Sequence, residues 1–134
     1  MGADHKLKTK KGQNLCHLAC IQGSLGILVY LKFSLNHDLL ELDSSGMSCL
    51  HLAAESKNDH IALALIAWGS DINSKDKNKN TPLHHAVSSG SYKITRYLLQ
   101  AGSKAKIKNS SGLRPIDLLQ QVSQRSVLFK ILVK

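Results

Sequence analysis

The stretch Thr81-Pro-Leu-His-His-Ala86 decides the fold, because it has the features of a helix start. A threonine hydroxyl caps free backbone N–H groups, and a proline is tolerated at the first helical position. Apolar residues follow at helical spacing until Gly90, where the helix is predicted to end. A second helix is predicted from about Tyr92 to Gln100, ending before Gly102. Together these residues describe a short helix-turn-helix unit.

Similar stretches occur at three other places along the chain. The four copies are Asn14-Leu-Cys-His-Leu-Ala19, Ser48-Cys-Leu-His-Leu-Ala53, Thr81-Pro-Leu-His-His-Ala86 and Arg114-Pro-Ile-Asp-Leu-Leu119. Their fourth residues, His17, His51, His84 and Asp117, are 34, 33 and 33 residues apart. Polar stretches such as 103–112 separate the units and predict extended fingers. One such unit is too small to bury its own apolar face, so the units must stack on one another.

This repeat resembles that of the ankyrin family. The matching residues are the four copies above, Gly69-Ser-Asp-Ile-Asn73 with Asp76, and Gly2-Ala-Asp4. The resemblance covers nearly the whole chain of 134 residues. It implies an all-α repeat solenoid, in which helix-turn-helix units are joined by β-hairpin-like fingers, in a single domain of about four repeats. The repeats are expected at about 9–42, 43–75, 76–108 and 109–134, with 1–8 as the remnant of an upstream repeat, so that both ends are truncated.

Two departures from the repeat have structural consequences. Lys79 occupies a position where glycine is usual, and a left-handed backbone there costs a non-glycine residue about 1 kcal/mol. The neighbouring Asn78 or Asn80 is the alternative site for this conformation, since asparagine tolerates it better. The first repeat also has one extra residue around 32–35. We expect either a longer second helix or a bulged turn there.

The seven histidines and three cysteines raise the question of a metal site. A tetrahedral zinc site needs four converging ligands. The resemblance instead implies that the repeated histidines bond to the backbone of neighbouring fingers, and Cys16 and Cys49 occupy apolar positions of the repeat. His84 and His85 diverge by about 100° on a helix, so they do not chelate together easily. We therefore predict no metal site.

Motifs of catalysis and of cofactor binding are missing from the sequence. There is no Gly-x-Ser-x-Gly stretch, no phosphate-binding glycine loop and no pair of acids in a plausible cleft. The chain is accordingly predicted to be non-enzymatic and to need no cofactor.

Positive charge is concentrated in the fingers. The formal net charge is +9, from 18 Lys and Arg against 9 Asp and Glu. Ten of these basic residues lie in three fingers: Lys6, Lys8, Lys10 and Lys11; Lys75, Lys77 and Lys79; Lys104, Lys106 and Lys108. The finger at 37–43 is acidic instead, through Asp38, Glu41 and Asp43. This break, and the lack of aromatic residues among the lysines, disfavour nucleic acid and anionic lipid. An acidic protein or peptide partner is favoured, and purely solubilising charge is the alternative.

In the ankyrin family the partner surface comprises the fingertips and the exposed face of each first helix. Carried over position by position, the resemblance gives the following partner-binding residues: Lys8, Lys10, Lys11, Gln13, Ile21, Gln22, Leu42, Ser44, Ser45, Met47, Glu55, Ser56, Lys75, Lys77, Asn78, Asn80, Ser88, Ser89, Lys108, Ser110, Ser111 and Leu113. Ile21, Leu42, Met47 and Leu113 are the apolar candidates for a binding hot spot. Trp68 is interpreted as a packing residue between repeats, with an exposed anchor as the alternative.

Two classes of function remain open. The first is a protein-protein interaction module, expected to be monomeric. The second is the substrate-recruiting domain of a larger enzyme, because Gly46-Met-Ser-Cys-Leu-His-Leu-Ala-Ala54 resembles the ankyrin region of membrane palmitoyltransferases. Three cysteines are too few for a disulfide scaffold, which predicts the cytoplasm or another reducing compartment inside the cell. No apolar run reaches the roughly 18 residues that a membrane helix needs, so only the cytoplasmic part of a membrane protein fits the second class.

Overall fold

The computed structural model describes residues 8–36, 39, 41–121 and 125–133, and these residues form helices and no strands. The helices are α1 (Leu15–Gln22), α2 (Leu25–Phe33), α3 (Cys49–Glu55), α4 (Asp59–Ala67), α5 (Pro82–Ser89), α6 (Tyr92–Gln100), a 3-10 helix (Pro115–Gln121) and α7 (Arg125–Leu132). Each odd-numbered helix from α1 to α5 packs on the helix that follows it and on the first helix of the next pair. This is the predicted all-α repeat solenoid.

The first helix of each pair begins as the sequence predicts. Asn14, Ser48 and Thr81 are the residues before α1, α3 and α5, and each side chain accepts a hydrogen bond from the backbone N–H three residues on. Pro82 is the first residue of α5, and Gly90 ends that helix with a φ of 80°. Such caps satisfy backbone donors that have no partner inside the helix. The local sequence therefore fixes where each repeat unit begins.

The core is aliphatic and continuous through the stack. Its largest fully buried apolar side chains are Leu28, Leu50, Ile61, Leu65, Leu83, Ile94, Leu98 and Val87. Cys16 and Cys49 are buried in the same cluster, as predicted, and Cys20 joins them. Burying a residue of this size stabilises the fold by roughly 1.5–3 kcal/mol. Because neighbouring pairs share this core, no pair buries its apolar face alone.

Four fingertips repeat the same hydrogen-bonded turn. We define them as residues 9–13, 43–47, 76–80 and 109–113, numbered fingertips 1 to 4. In each, the first residue donates its backbone N–H to the carbonyl of the last, at 2.9 to 3.0 Å. Neighbouring fingertips are joined by backbone bonds of 2.9 to 3.0 Å, from Ser44 to Lys11, from Lys77 to Ser45 and from Ser110 to Asn78. The fingertips therefore form one connected row.

Lys79 itself adopts the left-handed conformation, with a φ of 60°. The alternative that Asn78 or Asn80 takes this conformation is wrong. The reason is the fingertip hydrogen bond from the Lys79 N–H to the Asp76 carbonyl, at 2.9 Å, which closes on the fourth residue of the turn. Glycines at the same place have φ values of 72°, 75° and 77° in fingertips 1, 2 and 4, at Gly12, Gly46 and Gly112.

The extra residue of the first repeat lies in a turn. The second helices α2, α4 and α6 each have nine residues, so the expectation of a longer helix is wrong and that of a bulged turn is confirmed. Asn36 takes the left-handed conformation in this turn, with a φ of 51°, where the later repeats have Gly69 and Gly102. The helix length is kept because core positions are repeated along it, whereas a solvent-exposed turn accommodates an insertion.

Some predictions lie outside the described residues. These are the match at Gly2-Ala-Asp4, the remnant at 1–8 apart from Lys8, and the contributions of Lys6 and Asp38 to their fingers.

Candidate partner-binding surface

Three buried histidines attach each helix pair to the next finger. The Nδ1 atoms of His17, His51 and His84 accept the backbone N–H of the residue that caps their own helix, at 3.0 to 3.1 Å. Nε2 therefore carries the proton and donates to a carbonyl of the next finger, at 2.9 Å in each case. The acceptors are the carbonyls of Glu41, Asn80 and Leu113. The structural role predicted for these histidines is confirmed.

Burial keeps these histidines neutral. It lowers the pKa of His51 to about 4, from an ordinary value of 6.5, and it lowers the pKa of His17 and His84 as well. The bond to the finger carbonyl opposes this shift in all three, but desolvation of the charged ring is the larger effect. The fingers are thus held in place by neutral hydrogen bonds around physiological pH.

Six exposed lysines lie on fingers 3 and 4. We number the fingers in chain order, so that finger 2 is the acidic finger at 37–43, finger 3 holds the lysines at 75–79 and finger 4 those at 104–108. Lys104, Lys106 and Lys108 are all exposed, while the residues between them are half-buried, which matches the period of two in the sequence. Lys75, Lys77 and Lys79 are also exposed. Contacts between basic and acidic side chains among the described residues involve Lys8, His85 and Arg114, and none of these six lysines. Their charges therefore face solvent.

The described acidic side chains of finger 2 are engaged by the protein itself. Glu41 pairs with Lys8 at 3.0 Å and accepts a hydrogen bond from the Asn14 side chain at 2.8 Å. Asp43 accepts the backbone N–H groups of Ser45 and Met47 in its own fingertip, at 2.8 and 2.9 Å. This finger is consequently less negative toward a partner than its sequence indicates.

All 22 predicted partner-binding residues are exposed or half-buried, and none is buried. The structure brings nine of them together around one groove between helix pairs 1 and 2, with a volume of about 520 Å³. The nine are Lys10, Lys11, Gln13, Ile21, Ser44, Ser45, Met47, Glu55 and Ser56. Asp43 and Leu52 complete the lining. The residues of fingertips 3 and 4 and of α5 lie outside this groove.

Sequence reasoning missed a polar cluster beside this groove. One side-chain ligand atom each from His51, Asp76 and His85 lies within 4.8 Å of the others. His85 donates to Asp76 at 2.9 Å through Nε2, and its Nδ1 lies 3.5 Å from Glu55. Both nitrogens of His51 and both of His85 thus already face partners, which favours a hydrogen-bonded network over metal binding. The clue in the sequence was His85, the second histidine of residues 81–86.

Trp68 connects the second helices of pairs 1 and 2. It caps α4, and its ring meets Phe33 of α2 edge to face, with the centroids 5.6 Å apart. The Lys32 ammonium lies 5.2 Å from the Trp68 ring centroid. The interpretation of Trp68 as a packing residue between repeats is confirmed, although the side chain is only half-buried.

Stacked helix pairs, a connected row of fingertips and a groove along the inner helices together define a class of protein. It is a repeat solenoid in which a row of fingers lies beside the first helices of the pairs. Models of ankyrin repeats match residues 1–76 (the model with three copies) and 65–119 (the model with many copies). The chain belongs to the ankyrin repeat family.

Curated relatives place this repeat in proteins of several kinds. An I-Kappa-B like protein C2 of Microplitis demolitor bracovirus is 34% identical over 83% of this chain and 66% of its own length. A putative palmitoyltransferase ZDHHC13 of Danio rerio is 34% identical over 90% of this chain and 19% of its own length. A probable 26S proteasome regulatory subunit p28 of Saccharomyces cerevisiae is 37% identical over 66% of this chain and 40% of its own length. The chain therefore spans less than two thirds of these relatives.

None of the helices in the described part of the chain is long and apolar enough to cross a membrane.

Proposed function

We propose that this chain is a non-enzymatic protein-protein interaction module that binds an acidic protein or peptide. The observation that carries the proposal is the set of six lysines on fingers 3 and 4, all exposed and none in an ion pair among the described residues. Such a set raises the local positive potential and speeds encounter with an acidic partner.

The hydrogen-bonded fingertips support rigid recognition. Backbone bonds connect each fingertip to the next, and the three buried histidines attach fingertips 3 and 4 and the residue Glu41, just before fingertip 2, to the preceding helix pairs. A surface that is already ordered loses little conformational entropy on binding. We place the module, as a monomer, in a reducing compartment of the cell, where three buried thiols remain stable.

The test compares two variants with the same change in charge. One carries Lys104→Glu, Lys106→Glu and Lys108→Glu on finger 4, and the control carries Lys93→Glu, Arg96→Glu and Lys130→Glu at exposed sites on α6 and α7. Proteins captured from cell lysate by the wild type are identified, and their association rates are measured between 50 and about 300 mM salt.

We expect an acidic partner whose association rate falls as the salt concentration rises. The finger variant should reduce this rate strongly, and the control variant should change it much less. An equal loss of association rate in both variants would indicate that the finger lysines act only as solubilising charge. Association that is insensitive to salt would contradict electrostatic steering.

The alternative is a substrate-recruiting domain of a larger enzyme, such as a membrane palmitoyltransferase. It is supported by the palmitoyltransferase relative. The alignment covers 90% of this chain and 19% of the length of that relative. The full coding sequence of the gene distinguishes the two functions. Transmembrane spans and a cysteine-rich catalytic domain in the same reading frame would favour the enzyme.

A further inference from the structure

The groove between helix pairs 1 and 2 has an apolar floor. Ile21 near the end of α1 and Met47 at the end of fingertip 2 are half-buried and pack on the core, and Leu52 of α3 lies beneath them. We call this site the anchor groove. Its volume of about 520 Å³ lies within the roughly 300–1,000 Å³ of typical ligand pockets.

The next pair of repeats provides an internal comparison. The same three positions between pairs 2 and 3 hold Glu55 at the end of α3, Asn80 at the end of fingertip 3 and His85 in α5. All three are polar, and Glu55 lies 3.5 Å from His85. Since these residues occupy equivalent positions of the repeat, the fold does not require apolar residues there. Ile21 and Met47 are therefore free to serve a ligand.

The charges around the anchor groove are balanced. Lys10 and Lys11 are exposed at its rim, and neither is in an ion pair among the described residues. Asp43 and Glu55 line the same groove, where Asp43 accepts two backbone N–H groups of its own fingertip and Glu55 lies 3.5 Å from His85. The groove thus offers apolar surface, while the unpaired positive charge lies on fingers 3 and 4.

We propose that the anchor groove binds one apolar side chain of a partner peptide, and that acidic residues of the same peptide contact the lysines of fingers 3 and 4. This inference rests on the proposed function. Met47 suits this role because its flexible thioether adapts to different side chains. The apolar side chain supplies specificity, while the acidic residues supply attraction at a distance.

The repeat spacing sets the distance between the two elements of the peptide. Packed helices lie about 8–10 Å apart, so fingers 3 and 4 lie about one to two repeats, or 10–20 Å, beyond the anchor groove. An extended peptide spans this distance with about three to six residues, at roughly 3.3 Å each. The partner motif is therefore an apolar residue and an acidic cluster separated by about three to six positions.

The probes are fluorescein-labelled Gly/Ser peptides with one leucine and three consecutive glutamates, separated by one to eight residues and made in both orders. Fluorescence anisotropy gives the Kd for the wild-type chain, and matched peptides replace the leucine with alanine. We expect the tightest binding at the predicted separation and a weakening of at least about tenfold on replacing the leucine, which corresponds to about 1.4 kcal/mol.

The variant Ile21→Ser with Met47→Asn introduces the side chains that α5 and fingertip 3 carry at the same positions, and it leaves the charge unchanged. It is expected to bind the leucine and alanine peptides equally. The finger 4 charge variant should weaken both peptides and keep the ratio between them. Unfolding curves check that each variant is folded, and Met47→Asn alone replaces the double variant if that one is unfolded.

Equal affinity of the wild type for leucine and alanine peptides at every separation would overturn the anchor groove and leave the proposed acidic partner in place. If neither peptide bound in a salt-dependent way, the acidic partner itself would be refuted. A leucine preference that survives Ile21→Ser with Met47→Asn would locate the apolar contact elsewhere and would also overturn the inference.

Discussion

Acidification is expected to destabilise the stack through the three buried histidines that attach the fingers. Burial lowers the pKa of His51 from 6.5 to about 4, and it lowers that of His17 and His84. Between pH 6.5 and about 4 the unfolded chain binds more protons than the folded chain, because its histidines are protonated first. The stabilisation is thus complete above pH 6.5 and is lost as the pH falls toward 4. For His51 alone the interval corresponds to about 3 kcal/mol, at 1.36 kcal/mol per pH unit.

Urea unfolding followed by circular dichroism at pH 7.5, 6.5, 5.5 and 4.5 measures this loss. At about 0.2 M salt, which screens the general repulsion of a basic protein, the free energy of unfolding should fall by about 2.5 kcal/mol or more between the end points. His51→Gln keeps a residue type suited to a capping box but removes the titrating ring. In this variant the fall in the free energy of unfolding should therefore be smaller by about 2.5 kcal/mol. His60→Gln, at an exposed site, is the control.

A flat stability profile between pH 7.5 and 4.5 would refute this explanation, because the three buried rings could then accept a proton on Nδ1 without the costs of burying a charge and of losing the bond from the capping N–H. An equal change in the pH dependence of the His60→Gln variant would also refute it, because the acid sensitivity would then come from net charge and not from the buried rings.

Three further predictions concern backbone strain and packing. Lys79→Gly should raise the free energy of unfolding by about 0.5–1 kcal/mol, because φ is 60° there, whereas Lys77→Gly, where φ is not positive, should not. Thermal unfolding of the two variants compares them. Gly46→Ala should lower stability by more than about 1 kcal/mol, since φ is 75° and the new methyl group would lie 3.0 Å from the Lys77 nitrogen. Unchanged urea unfolding would contradict this. Phe33→Ala should change the emission of Trp68 in the folded state and cost less than about 1 kcal/mol, since Phe33 is 65% exposed. Identical emission spectra would show that the rings do not meet in solution.

Local signals in the sequence were sufficient for the starts of α1, α3 and α5, and the resemblance to ankyrin repeats supplied the role of the histidines. Thr81 and Pro82 mark a helix start because their effects act within one helical turn, and the same start recurs at Ser48 and Asn14. The histidine three residues on completes the cap with Nδ1, which leaves Nε2 for the next finger. A fixed period of 33 or 34 residues then carries this pattern through the chain.

The features that sequence reasoning missed depend on contacts between units. The positions of Glu55, Asp76 and His85 in the sequence do not show that α3, finger 3 and α5 converge around one cluster. The last unit is a second case. Asp117 replaces histidine there, accepts the Arg114 backbone N–H at 2.8 Å and pairs with its guanidinium, and the segment that follows is a 3-10 helix. Among the described residues both carboxylate oxygens of Asp117 bond to Arg114, whereas each histidine uses its second ring nitrogen for the next finger.

A repeat protein offers a way to separate residues kept for the fold from residues kept for a ligand. Where equivalent positions share one chemistry, as His17, His51 and His84 do, the stack itself requires it, because each ring makes the same bonds. Where they differ, as Met47 and Asn80 do, the fold accepts either, and the difference lies on the proposed partner surface. We expect an exchange of residues between such positions to alter recognition with little effect on folding. The exchange at the anchor groove is thus the most direct test of what this surface binds.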